Sequence, residues 1–68
     1  MRPHKVPDHW LTRARRKSRM TQKALALALN IHPVSVNRWE RGTRNPSLAT
    51  IREIARILGM TVAELLDS

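Results

Sequence analysis

The chain is cut into short pieces by its own start and stop signals, and this limits the fold more than any other feature. Asp8 is placed to cap a first helix running to about Ser18, with Leu11, Ala14, Arg15 and Ser18 on one face. Thr21 caps a second, Gln22 to Leu29, rich in Ala and Leu. Asn30 tolerates positive φ and can end that helix in a left-handed turn. Pro33 suits a first helical position, where no N–H is needed. A third helix then runs to about Arg41 and stops at Gly42, and Thr43–Pro46 is a loop. Ser47 caps a fourth helix whose Leu48, Ile51, Ile54, Ala55 and Leu58 form an apolar stripe, and Gly59 ends it. Thr61 and Glu64 make a capping box for a short fifth helix carrying Val62, Leu65 and Leu66. Leu27 and Ile57 fall off these stripes. The alternation at Val34–Val36 is too short to compete as a strand. The expected class is all-α: five short helices around one core.

Composition narrows the function. Sixty-eight residues make one small domain with a thin core. Cysteine is absent, which suits a reducing compartment and removes thiolate metal sites. No apolar run reaches the roughly 18 residues a membrane span needs, and the opening MRPHKVP leads into no apolar signal segment. Lys and Arg outnumber Asp and Glu 13 to 5. The excess is concentrated in residues 1–44, which carry a net +9, while residues 45–68 carry −1. Such asymmetry points to a basic working face for nucleic acid. No acid–base pair, nucleophile or metal spacing stands out, so the chain reads as a non-enzyme without cofactor or metal. Residues 1–7 read as a flexible basic arm and residues 8–68 as one folded domain.

Residues 22–41 carry the most specific pattern. Leu25, Leu29, Ile31, Val36 and Trp39 are apolar, Ala26 is small, and Asn30 stands in the turn. Two helices joined by a three- or four-residue turn cross steeply. The crossing needs a small residue at the close approach and a positive-φ residue in the turn, and Ala26 and Asn30 meet both needs. The stretch from Leu11 to Leu66 resembles the five-helix DNA-binding domain of phage repressors and Cro, the XRE family. The TQ opening the second helix, the ERG closing the third, the N-P-S entry to the fourth and the closing ILGMTVAEL carry the likeness.

That resemblance implies a fold of the lambda-repressor type and a regulator of transcription that binds double-stranded DNA. The third helix would enter the major groove, with the second across the backbone. Pro33, Val34, Asn37 and Arg38 would face base edges, Arg38 reading guanine and the apolar pair meeting a thymine methyl. Many relatives have polar residues at the first two positions. Gln22 would anchor a phosphate at the second helix's start, helped by Lys23, Arg19, Arg41, Arg44 and Asn45. Glu40 sits at the unfavourable end of its helix dipole and requires a cation. The family partner is an arginine of the first helix, here Arg15, and the pair would be structural. Relatives usually end the first helix with Gly, where Arg19 stands here. They usually cap the third with Ser or Thr, where His32 stands. His32 either fills space or approaches a phosphate, and in the second case binding tightens as pH falls through about 6.5.

The resemblance further implies a homodimer on a pseudo-palindrome, weak or completed on DNA, with Met60–Ser68 as the joining surface. It places the protein in the cytoplasm, in a bacterial nucleoid or a phage-infected cell. A toxin or co-regulator protein is the alternative partner on the same fold. Single-strand binding fits less well, because Phe and Tyr are absent and only Trp10 is left to stack on bases. His4 and His9 are better read as solvated than as a metal pair.

Overall fold

Each expected helix forms, and the local chemistry of its ends explains why. The computed structural model describes residues 8–67. The basic arm of residues 1–7, with Arg2, His4 and Lys5, and the terminal Ser68 lie outside them. The helices are α1 (Trp10–Lys17), α2 (Gln22–Leu29), α3 (Pro33–Glu40), α4 (Leu48–Leu58) and α5 (Val62–Leu66). No strand occurs among the described residues. The hydroxyls of Thr21, Ser47 and Thr61 accept from the backbone N–H groups of Ala24, Thr50 and Glu64, so three amino ends are capped as expected. Glu64 completes its capping box by accepting from the Thr61 N–H.

The first cap is a correction. His9, not Asp8, caps α1, its Nδ1 accepting from the Leu11 N–H at 3.1 Å. Asp8 instead pairs with Arg16 at 3.0 Å, and its carbonyl accepts from Arg13. Imidazole is an uncommon cap, which is why the aspartate one position earlier attracts the assignment. His32 does the same for α3, accepting from the Val34 N–H.

Four helices end alike. Arg19, Asn30, Gly42 and Gly59 each follow a helix in the left-handed conformation, with φ of 57°, 58°, 77° and 70°. In each the following N–H reaches back to a helix carbonyl, as in Met20 to Arg15 at 3.1 Å and Ile31 to Ala26 at 3.0 Å. Arg19 is strained there, because its Cβ crowds the adjacent carbonyl where glycine has none.

Every helix contributes to one core. Leu11 and Ala14 of α1, Leu25 and Ala26 of α2, Val36 of α3, Ile54 and Ala55 of α4 and Leu65 of α5 are buried. α2 packs on α3 and α4, α1 on α3 and α5, and α4 on α5. Two stripe residues do not follow the periodic reading. Leu48 is 59% exposed and Leu66 is 46% exposed. Leu48 opens α4 and Leu66 closes α5, where fewer neighbours surround a side chain. Ile57, off the drawn stripe, packs against the core instead, whereas Leu27 is 80% exposed. No helix among the described residues is long and apolar enough to cross a membrane.

Candidate nucleic-acid interface

The α2–α3 pair is built for a steep crossing. Three residues, Asn30 to His32, join the helices. Ala26 is fully buried at the approach, so a larger side chain there has no room. The left-handed Asn30 turns the chain and lets Ile31 fold back against the core.

The amino end of α3 is closed to backbone contacts. Pro33 has no N–H, the Val34 N–H is held by His32 Nδ1 at 3.1 Å, and the Ser35 N–H bonds the His32 carbonyl at 3.0 Å. Polar contact with a ligand here falls to side chains. Val34 is 40% exposed, Pro33 and Asn37 are half-buried, and Arg38 is exposed. Val34 and Arg38 share one helical row and Pro33 and Asn37 the adjacent one. The His32 nitrogen that caps the helix is an acceptor.

The carboxyl end of α3 leads into a basic cleft. The Arg38 carbonyl accepts from the Thr43 N–H at 3.0 Å and the Thr43 hydroxyl at 3.2 Å, which pins the following loop. Ser35, Arg38, Trp39, Arg44 and Asn45 then line a cleft of about 310 Å³. Two guanidiniums and an amide around one hollow suit a phosphate or a base edge. Arg19, Lys23 and Arg41 are exposed in the turn before α2, in its first turn and just after α3.

Beneath this surface lies a polar hub that the periodic pattern shows only in part. Glu40, the last residue of α3, has a side chain 6% exposed. Arg15 Nε donates to its Oε2 at 2.7 Å and Arg15 Nη2 to its Oε1 at 3.1 Å. The Thr12 hydroxyl donates to Oε1 at 2.8 Å and Gln22 Nε2 to the same atom at 3.2 Å. Arg15 also donates to the Met20 carbonyl at 2.8 Å, fastening the turn before α2. Burial pushes the Glu40 carboxyl up; the hydrogen bonds from Arg15, Thr12 and Gln22 and the Arg15 charge outweigh it and hold it below the ordinary value. The sequence points to the Arg15 partner but not directly to Thr12 or the Gln22 bond. The signal for Thr12 was its spacing, three residues before Arg15 on the same face.

His9 lies beside this hub and makes its own prediction. Burial, with its ring 5.0 Å from that of Trp10, is the main reason its pKa falls below the ordinary 6.5; Glu40 opposes and Arg13 assists. The unfolded chain therefore binds a proton more readily. The resulting stability is complete above about pH 6.5 and drains away as pH falls below it. We expect the melting temperature to drop between pH 7 and pH 5, and His9→Asn, an untitratable cap, to flatten part of that drop. A wild-type melt indifferent to pH over this range would refute the neutral cap. The same packing leaves Trp10 half-buried against the core.

Among the described residues no group of three or more His, Asp or Glu is arranged to hold a metal. At the α2–α3 pair an edge that can meet a ligand only through side chains adjoins a basic rim. Compared with known families, residues 11–65 match the one described as helix-turn-helix. The chain belongs to the helix-turn-helix family. The control protein C.BamHI of Bacillus amyloliquefaciens is 43% identical over 51 residues. The match covers 75% of this chain and 63% of that protein.

Proposed function

We propose that this helix-turn-helix protein is a Cro-like transcriptional regulator that binds double-stranded DNA by sequence, as two copies on an inverted repeat. The crossed α2–α3 pair with its basic rim carries this reading. α3 lies in the major groove, with Pro33, Val34, Asn37 and Arg38 toward base edges. Arg38 supplies bidentate recognition of guanine, and Pro33 and Val34 supply apolar contact with a thymine methyl. Gln22, Lys23 and Arg19 on one side and Arg41, Arg44 and Asn45 on the other take phosphates and set the register. The control protein C.BamHI, named for a controlling role, supports regulation as the purpose of binding. Pairing of copies through residues 60–68 is supported by the exposed Leu66.

Selection from random duplex DNA, in about 150 mM salt with competitor, tests the reading. The expected result is an enriched inverted repeat with half-sites about one helical turn apart. Enrichment of a single short site would overturn the two-copy arrangement. No enrichment, with binding that vanishes as salt rises, would overturn sequence-specific recognition and direct attention to a protein partner such as a toxin.

A further inference from the structure

Glu40 does more than neutralise Arg15, because its carboxylate also holds the amide of the chain's one glutamine. We propose that Glu40 is a positioning residue for DNA binding: it fixes the Gln22 amide with its nitrogen inward, so that the second amide N–H meets a backbone phosphate. The inference rests on the reading of Gln22 as a phosphate contact. A carboxylate only accepts hydrogen bonds, so it faces the Gln22 nitrogen and excludes the flipped amide, whose oxygen would oppose Oε1. One N–H of Nε2 goes to Glu40 at 3.2 Å. The other meets no acceptor among the described residues. A phosphate takes only donors, so a fixed nitrogen is the useful end of the amide.

The bare carboxylate would repel the same phosphate. Arg15 removes that objection by engaging both oxygens of Glu40 at 2.7 and 3.1 Å. Thr12 adds a donor to Oε1 at 2.8 Å, which keeps that oxygen in place between α1 and α2. A residue on α3, steadied from α1, thus sets the orientation of a contact on α2. A free glutamine must order its side chain when it binds; this one is ordered beforehand.

A double-mutant cycle on DNA affinity tests this, with helicity monitored at low temperature. Gln22→Ala alone is expected to weaken binding about tenfold per copy, the size of a hydrogen bond to a charged group. Glu40→Gln alone is expected to weaken it about threefold or more, and to have no further effect in the Gln22→Ala background. A purely structural Glu40 would lower affinity equally in both backgrounds, and that additive result would overturn the proposal. Gln22→Ala binding as well as wild type would overturn the Gln22 reading itself.

Should Glu40→Gln not fold, Arg15→Met with Glu40→Met replaces the pair by apolar chains of similar volume and is run through the same cycle. Nuclear magnetic resonance of the free wild-type protein gives an independent readout. The two Gln22 amide protons are expected to exchange with water at different rates, the one bonded to Glu40 being protected. Two equal, unprotected amide protons would overturn the proposal.

Discussion

Replacing Arg15 by alanine is expected to unfold most of the protein at 25 °C. Its guanidinium side chain is 12% exposed, and the carboxylate it serves is 6% exposed. Removing one member of such a pair strands the other charge away from water, which costs about 3–5 kcal/mol. A chain of this size has only about 3–10 kcal/mol in total. The substitution also deletes the bond to the Met20 carbonyl, which holds the turn before α2. In a domain this small each kcal/mol lowers the melting temperature by about 4–8 °C, so a fall of more than about 12 °C is expected. A melt within a few degrees of wild type would show that breaking the pair costs less than about 1 kcal/mol and would overturn this expectation.

Two controls separate this effect from charge alone. Arg16 also pairs with an acid, Asp8, but the two side chains are 64% and 44% exposed. Water screens that pair, and Arg16→Ala is expected to cost less than about 1 kcal/mol. Acid should act like a weaker form of the Arg15 substitution. The Glu40 carboxyl lies below its ordinary 4.5 when folded, so its contribution is complete above that value and is lost as pH falls through the lower folded one.

Much of the fold was legible because helix ends are chemical events spelled in single residues. Thr21, Asn30, Pro33, Gly42, Ser47, Gly59 and the Thr61–Glu64 box all work in the structure as their chemistry requires. The α1 cap was not legible, because imidazole Nδ1 and aspartate oxygen compete at adjacent positions and only the path of the chain decides. Leu48 and Leu66 show the limit of periodicity. It gives the face a residue occupies but not whether a neighbouring helix extends far enough to cover it. On the proposed binding surface the basic positions are readable as charge. The fastening of the loop to the Arg38 carbonyl was not, since it depends on backbone geometry beyond Gly42. The Gln22–Glu40 bond spans 18 residues and joins different helices, so no local spacing encodes it.

The largest expected effect on binding comes from salt. Arg19, Lys23, Arg41 and Arg44 are four exposed cations per copy on the proposed backbone-contacting rim. Two copies present eight, and each phosphate neutralised releases condensed counterions. With a slope near −0.9 per contact, affinity for the operator should fall by about 10³–10⁵ between 50 and 200 mM salt. Substitutions then sort the side chains by role. Arg44→Ala should weaken binding to all sequences alike and make the slope shallower by about one per copy. Arg38→Ala should leave the slope nearly unchanged, cost about 1–3 kcal/mol per copy on the operator, and abolish preference at one base pair of each half-site. Arg38 shares its cleft with Arg44 and Asn45, so this comparison decides whether the cleft holds one phosphate or divides between phosphate and base. An Arg38→Ala variant with a shallower slope and an intact sequence preference would assign Arg38 to the backbone. Base reading would then rest on Pro33, Val34 and Asn37.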